Sequence, residues 1–127
     1  MNYQKSLVIL SAVVLAACAQ SVQVDSVSAD LVQQRIEAGT APLILDVRTI
    51  EEYEEGHVPG AIHIPHDELE SRLGELTVGL DDEVIVYCKA GGRAGIAEGI
   101  LNGAGYTNLR DLEGHWTAWS EDGRPAE

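Results

Sequence analysis

Basic side chains are scarce in this sequence. Eight Lys and Arg stand against 21 Asp and Glu, a formal net charge of −13 over 127 residues. That balance excludes nucleic acid as a partner, because phosphate backbones are held by clustered Lys and Arg. Cysteine is rarer still: two in the chain, too few for a disulfide scaffold or a four-ligand zinc site. Phe is missing altogether, and neither an internal repeat nor a second domain is legible. The longest run of apolar and small residues, Ser6 to Ala17, falls short of the about 20 residues a membrane-spanning helix needs. What is present is ordinary for a packed core. Residues are 45% hydrophobic, which argues against wholesale disorder, and the length suits one domain.

Met1 to Lys5 is polar with one cationic side chain, and the apolar run follows it. Charged start, apolar middle and small residues at the end are the layout of a secretory signal. Leu15-Ala16-Ala17-Cys18 resembles the bacterial lipoprotein signal. That resemblance implies cleavage before Cys18, a diacylglycerol on its sulfur and an acyl group on its new amine, enough chains for stable anchoring. Residues 1–17 are therefore expected to be a signal peptide and 18–27 a lipidated cysteine and a polar tether that leads, by about Val27, into a short strand. Residues 28–122 are expected to form the domain and 123–127 a C-terminal tail. Ala19 stands where an Asp would favour inner-membrane retention. In a Gram-negative cell this places the protein at the outer membrane, facing the periplasm. Past Cys18, seven basic residues oppose 21 acidic ones, net −14, and one cysteine remains, Cys88. A lone thiol in an oxidising compartment is either buried and inert or kept for chemistry. A Cys18–Cys88 disulfide is the competing explanation if Cys18 is not lipidated.

Along the mature chain, Ser28 is placed to cap a helix over 29–38, with Leu31, Val32 and Ile36 at helical spacing and Gly39 as its stop. Short apolar runs at 43–47, 61–64, 83–87 and 107–112 read as strands. Helical stretches are expected at 49–55, 67–76, 93–102 and 115–120. Alternating strands and helices predict an α/β domain with a parallel sheet covered on both faces. Sites in such sheets gather beyond the carboxyl ends of the strands. Cys88 follows one strand and Asp46–Arg48 closes another, so both belong to one edge.

Cys88-Lys89-Ala90-Gly91-Gly92-Arg93 joins a strand to a helix. A free thiol titrates near 8.5 and becomes a good nucleophile where positive potential favours the thiolate. Unpaired amides at the helix start, two glycines that let the loop curl, and the cations Lys89 and Arg93 would supply that potential. Buried behind a flexible turn, Cys88 would instead be a simple core residue. Four residues separate Cys88 from Arg93, one fewer than in the Cys-x5-Arg loop of cysteine phosphatases. The smaller loop suits one added sulfur atom better than a phosphate.

Three stretches then resemble the single-domain rhodaneses. They are Asp46-Val47-Arg48 with Glu52-Tyr53 and 56–65, Val86-Tyr87-Cys88 through Arg93, and Leu112-Glu113-Gly114 with Ala118-Trp119. Gly95 stands where Ser or Ala is usual, and His115 replaces a common glycine. The resemblance implies a five-stranded parallel sheet flanked by helices on both faces. It also implies a sulfurtransferase that cycles Cys88 between thiolate and persulfide, moving sulfur from a donor such as thiosulfate to cyanide, a thiol or a protein. Backbone amides from Lys89, Ala90, Gly91, Gly92 and Arg93 would hold the anionic sulfur, and Lys89 and Arg93 would attract the donor. A persulfide carrier or redox sensor without turnover, and a small phosphatase or arsenate-type enzyme, are the rival readings.

Asp46 and Arg48 read as a supporting ion-pair network, with Glu52 as a partner for Arg48. His57, His63, His66 and His115 invite a metal reading. Pro65, however, breaks any helix through His63-x-x-His66, and no metal or other cofactor is expected. Trp116 and Trp119 read as core anchors, and the acidic run 51–55 as a solvated face.

Overall fold

The computed structural model describes residues 23–127. The expected signal peptide, Cys18 and most of the expected tether lie outside the described residues. Five strands, β1 (Asp25–Val27), β2 (Leu43–Asp46), β3 (Ile62–His63), β4 (Val84–Tyr87) and β5 (Leu109–Leu112), form one sheet in the order β1-β5-β4-β2-β3. Every pairing is parallel. Helices α1 (Ala29–Glu37), α2 (Ile50–Glu55), α3 (Gly92–Gly103) and α4 (His115–Glu121) connect them, with a 3₁₀ turn at Glu70–Glu75. This is the five-stranded α/β architecture that the sequence implied.

Alternation along the two central strands sorts the core into two layers. Leu45, Val47, Val84, Val86 and Cys88 pack with Ala94, Ala97 and Leu101 of α3 on one face. Ile44, Ile85 and Tyr87 pack with Val32 of α1 and Trp119 of α4 on the other. All four residues of β4 are buried, as a strand covered on both faces requires. From β2 the chain moves to β3 on one side, and from β4 to β5 on the other. The carboxyl ends of β2 and β4 therefore flank the crevice where connections diverge, the usual ligand site of open α/β sheets.

The short strand that the tether was expected to lead into is the edge strand β1, paired with β5 from Asp25↔Arg110 to Val27↔Leu112. Three expectations are corrected. The tail at 123–127 folds back onto the domain. Glu127 and His57 exchange two backbone bonds of 3.0 Å, and the Trp119 indole donates to the Pro125 carbonyl at 2.8 Å. The helix expected over 67–76 is instead a turn and a six-residue 3₁₀ segment, because Gly74 weakens so short a helix and its bonds close at i+3. Leu31, read as part of the α1 core face, is 45% exposed, while Val32 is fully buried.

Candidate active site

Cys88 emerges from the end of β4 with its carbonyl already engaged. It accepts from the Trp116 N–H at 3.0 Å, and the Lys89 carbonyl accepts from Thr117 N–H at 3.1 Å and from its hydroxyl at 2.9 Å. With both carbonyls pinned to the start of α4, the next amides are free to turn inward. The Gly91 N–H donates to Cys88 Sγ at 3.0 Å. Gly91 reaches that position with φ +121°, a conformation L side chains rarely adopt, and a Cβ there would lie 3.1 Å from His115 Nε2. The Ala90 and Ala94 amides lie near enough to help lower the sulfur's pKa, and the helix that begins at Gly92 has its positive end on this side.

Burial alone would raise the Cys88 thiol. Hydrogen bonds from His115 and from the Ala94, Gly91 and Ala90 amides overcome it and bring the pKa down to about 7. Cys88 is nevertheless 1% exposed, so a donor must reach a sulfur that lies at the floor of its loop.

Of the loop residues named from sequence, Gly91 and Ala90 face the sulfur through their backbones. Lys89 is exposed, and no carboxylate pairs with it among the described residues. Arg93 does not point its charge freely at a donor. Its guanidinium holds Glu52 two-pronged, at 2.6 and 3.0 Å, and this pair holds Glu52 down at about 2. Glu52 is thus the partner of Arg93, not of Arg48, and it is not part of a solvated face. A capping box fixes it there: Thr49 Oγ1 accepts from the Glu52 N–H while the Glu52 carboxylate accepts from Thr49 N–H. The Thr49-x-x-Glu52 spacing carried that signal in the sequence.

Asp46 and Arg48 form a buried pair at 2.6 Å with 0% and 2% of their side chains exposed. Register places Asp46 beside Tyr87, whose hydroxyl donates to Asp46 at 2.6 Å and accepts from Val58 N–H at 3.1 Å. Burial and the Asp46 charge push the Tyr87 hydroxyl far above its ordinary range. Arg48 also donates to the Gly56 carbonyl at 2.8 Å and lies 4.7 Å over the Trp116 ring. Asp46 and Arg48 therefore tie β2, β4 and α4 together beneath the loop, while Trp119 is fully buried. His57 and His63 stack on Tyr53 and bond backbone carbonyls.

The sequence marked His115 as a residue standing where glycine is common, but not its pairing with Asp111. His115 Nδ1 accepts from the Cys88 N–H at 3.2 Å, and its Nε2 lies 2.8 Å from Asp111. Burial opposes the imidazolium, but hydrogen bonds to Asp111 and Cys88 raise His115 to about 9. Behind Asp111 lies Glu98, 6% exposed. Burial and the Asp111 carboxylate raise Glu98 to about 8. A site of this kind, a thiolate held beside inward-turned amides, can attack an electrophilic sulfur and hold the product as an anion. Arg93 is turned to Glu52 and four residues separate it from Cys88, which leaves no arginine aimed into the loop for a phosphate.

The model of the rhodanese-like domain family matches residues 28–122. The chain is 32% identical over 97 residues to the putative sulfur carrier protein YrkF of Bacillus subtilis. That match covers 76% of this chain and 51% of YrkF, so the chain spans about half the length of that relative. Thiosulfate sulfurtransferase PspE of Escherichia coli is 41% identical over 70 residues, 55% of this chain and 67% of PspE. The solved human single-domain sulfurtransferase TSTD1 superposes with a TM-score of 0.67 at 30% identity, covering 78% of this chain and 97% of that one.

Proposed function

The chain belongs to the rhodanese-like domain family, and from that premise we propose that it moves a sulfane sulfur from a donor such as thiosulfate to a thiophilic acceptor through a persulfide on Cys88. The Cys88 thiolate attacks the outer sulfur of thiosulfate, a new S–S bond forms, and the old one breaks with its electron pair leaving on sulfite. An acceptor then attacks the outer sulfur of the persulfide, and Cys88 leaves as thiolate.

The observation that carries this reading is the 3.0 Å contact between the Gly91 N–H and Cys88 Sγ, the sulfur that is thiolate at the start of the cycle and again when the acceptor has left. The Asp46–Arg48 pair supports the loop from below and touches no reacting atom. Lys89 is the exposed cation of the loop and draws in the anionic donor; Arg93, neutralised by Glu52, contributes less.

Turnover is the test. Purified protein given thiosulfate and cyanide should release sulfite and thiocyanate, and Cys88→Ser should release neither. Persulfide formed from thiosulfate but never passed to cyanide or a dithiol would favour a carrier, the role for which YrkF is named. Hydrolysis of an aryl phosphate would overturn sulfur transfer in favour of a phosphatase.

The sequence also leads us to propose that Cys18 is lipidated and tethers the domain to the cell envelope, facing the periplasm in a Gram-negative cell. Full-length protein should then fractionate with membranes, and Cys18→Ser should release it or block its maturation. Equal membrane association of both would contradict the anchor.

A further inference from the structure

His115 occupies a backbone conformation that suits glycine. Its φ is +52°, and among the described residues no other non-glycine residue has a positive φ. A side chain held in that region is strained, and strain of this kind gathers at functional sites. Both ring nitrogens are engaged by the frame around the sulfur. Nε2 lies 2.8 Å from Asp111 Oδ1 on β5. Nδ1 accepts from the Cys88 N–H at 3.2 Å, a bond that uses its lone pair and leaves Nε2 to donate to the carboxylate. The ring edge between them lies against Gly91. A Cβ on Gly91 would stand 3.1 Å from Nε2 and 3.4 Å from Cδ2, so the imidazole closes the space where a side chain would go. Gly91 is also the residue whose N–H donates to Cys88 Sγ at 3.0 Å. His115 is 8% exposed, and the ionisable groups around it are Cys88 after β4, Asp111 on β5 and Glu98 on α3.

We propose that His115, anchored by Asp111, is a positioning residue for sulfur transfer: its ring is the wall that keeps the Gly91 amide on Cys88 Sγ. The inference rests on the reading of Cys88 as the sulfur carrier. Gly91 needs such a wall. Glycine restricts its own backbone less than any other residue, and Gly91 is followed by a second glycine. Left to itself, that pair could swing its amides away from the sulfur at little cost. Three contacts oppose the motion. The bond from the Cys88 N–H to Nδ1 holds the start of the loop, Asp111 holds the far side of the ring, and the ring edge blocks Gly91. The next two residues join in, because Trp116 and Thr117 N–H groups bind the Cys88 and Lys89 carbonyls. His115 touches no reacting atom and passes no proton in this role. Its effect on the chemistry runs through the amide, which stabilises Cys88 as the attacking thiolate and again as the leaving group.

His115→Gly removes the ring and gives the backbone the residue that its positive φ favours, so the variant keeps its fold. The purified full-length protein is alkylated with iodoacetamide at neutral pH and again well above the ordinary thiol pKa of about 8.5. The ratio of the two rates reports how far the thiolate is stabilised and cancels any change in access to the sulfur. That ratio should fall on the order of tenfold in His115→Gly, and by a similar factor in Gly91→Ala. Both changes release the same amide. The double variant should therefore fall little further than either single one, not by the product of about 10²-fold. An unchanged ratio in either single variant overturns the proposal. So does a double variant that shows the full product, because the ring would then act on the sulfur independently of Gly91. Sulfur loading from thiosulfate is followed separately by intact mass. If the parent takes up no sulfur, the persulfide reading fails, while the alkylation ratios still decide whether the ring holds the amide.

Discussion

Arg93 and Glu52, forty-one residues apart, meet in a two-pronged ion pair of 2.6 and 3.0 Å. The loop cation beside the nucleophile is thereby neutralised. Glu52→Gln should release that charge toward the anionic donor and lower the KM for thiosulfate by roughly fivefold at low salt, the equivalent of about 1 kcal/mol for one partly exposed charge. The gain should fade as salt is added. A KM that rises would show that Arg93 needs Glu52 to hold its place.

The same carboxylate sets an acid limit. Glu52 lies at about 2 instead of 4.5 because Arg93 bonds its charged form. A lowered carboxylate contributes stability that is present above its unfolded pKa and is lost as pH falls through the folded one. Between about 4.5 and 2 the parent should therefore lose more stability than Glu52→Gln does. Urea unfolding across that range measures it, and parallel losses would remove the pair from the stability account.

Gly91 joins conformation to chemistry at one position. Its amide faces the sulfur at 3.0 Å, its φ is +121°, and a Cβ would approach His115 to 3.1 Å. Gly91→Ala should cost about 1–3 kcal/mol in backbone strain. It should also cut kcat/KM for sulfur transfer by about 10²-fold, as loss of one anion-stabilising amide does. Full activity in a destabilised variant would separate the two effects and weaken the cradle.

Beneath the loop, Asp46 neutralises Arg48 with almost no solvent near either. Removing one member strands a buried charge, so Asp46→Ala should lose about 3–5 kcal/mol. Tyr87→Phe keeps the pair but deprives Val58 N–H of its acceptor and Asp46 of a donor, a loss of about 1–3 kcal/mol. Chemical denaturation gives the ranking, and a reversed order would contradict the structural role of the pair.

Most of the fold was legible because buried parallel strands write themselves as apolar runs. Leu43 to Val47 and Val84 to Tyr87 could be placed within a residue, and their carboxyl ends pointed to Cys88. The short edge strand at Asp25–Val27 was legible only as a strand closing the tether; its bounds and its partner β5 were not, because its first two residues are exposed. Local spacing likewise could not reveal that Glu52 would turn to Arg93, although its capping box was written at Thr49. The His115–Asp111 pair depends on a left-handed backbone at a non-glycine residue, which no periodicity signals. Glu98 carried no signal in the sequence, and α3 buries it.

Reactivity of the thiol joins these features. Cys88 titrates at about 7 instead of 9, with His115 and three backbone amides opposing the effect of burial. Alkylation by iodoacetamide should therefore rise through about 7, and in His115→Asn its midpoint should move up toward 9. Because Cys88 is 1% exposed, a bulky aromatic disulfide should react far more slowly than iodoacetamide. A midpoint near 9 in the parent would mean that the loop does not stabilise the thiolate.

The persulfide itself can be weighed. The purified protein, treated with thiosulfate and desalted, should gain the mass of one sulfur atom, lose it on addition of a dithiol, and show no gain in Cys88→Ser. No gain in the parent, or the same gain in Cys88→Ser, would contradict sulfur transfer through Cys88.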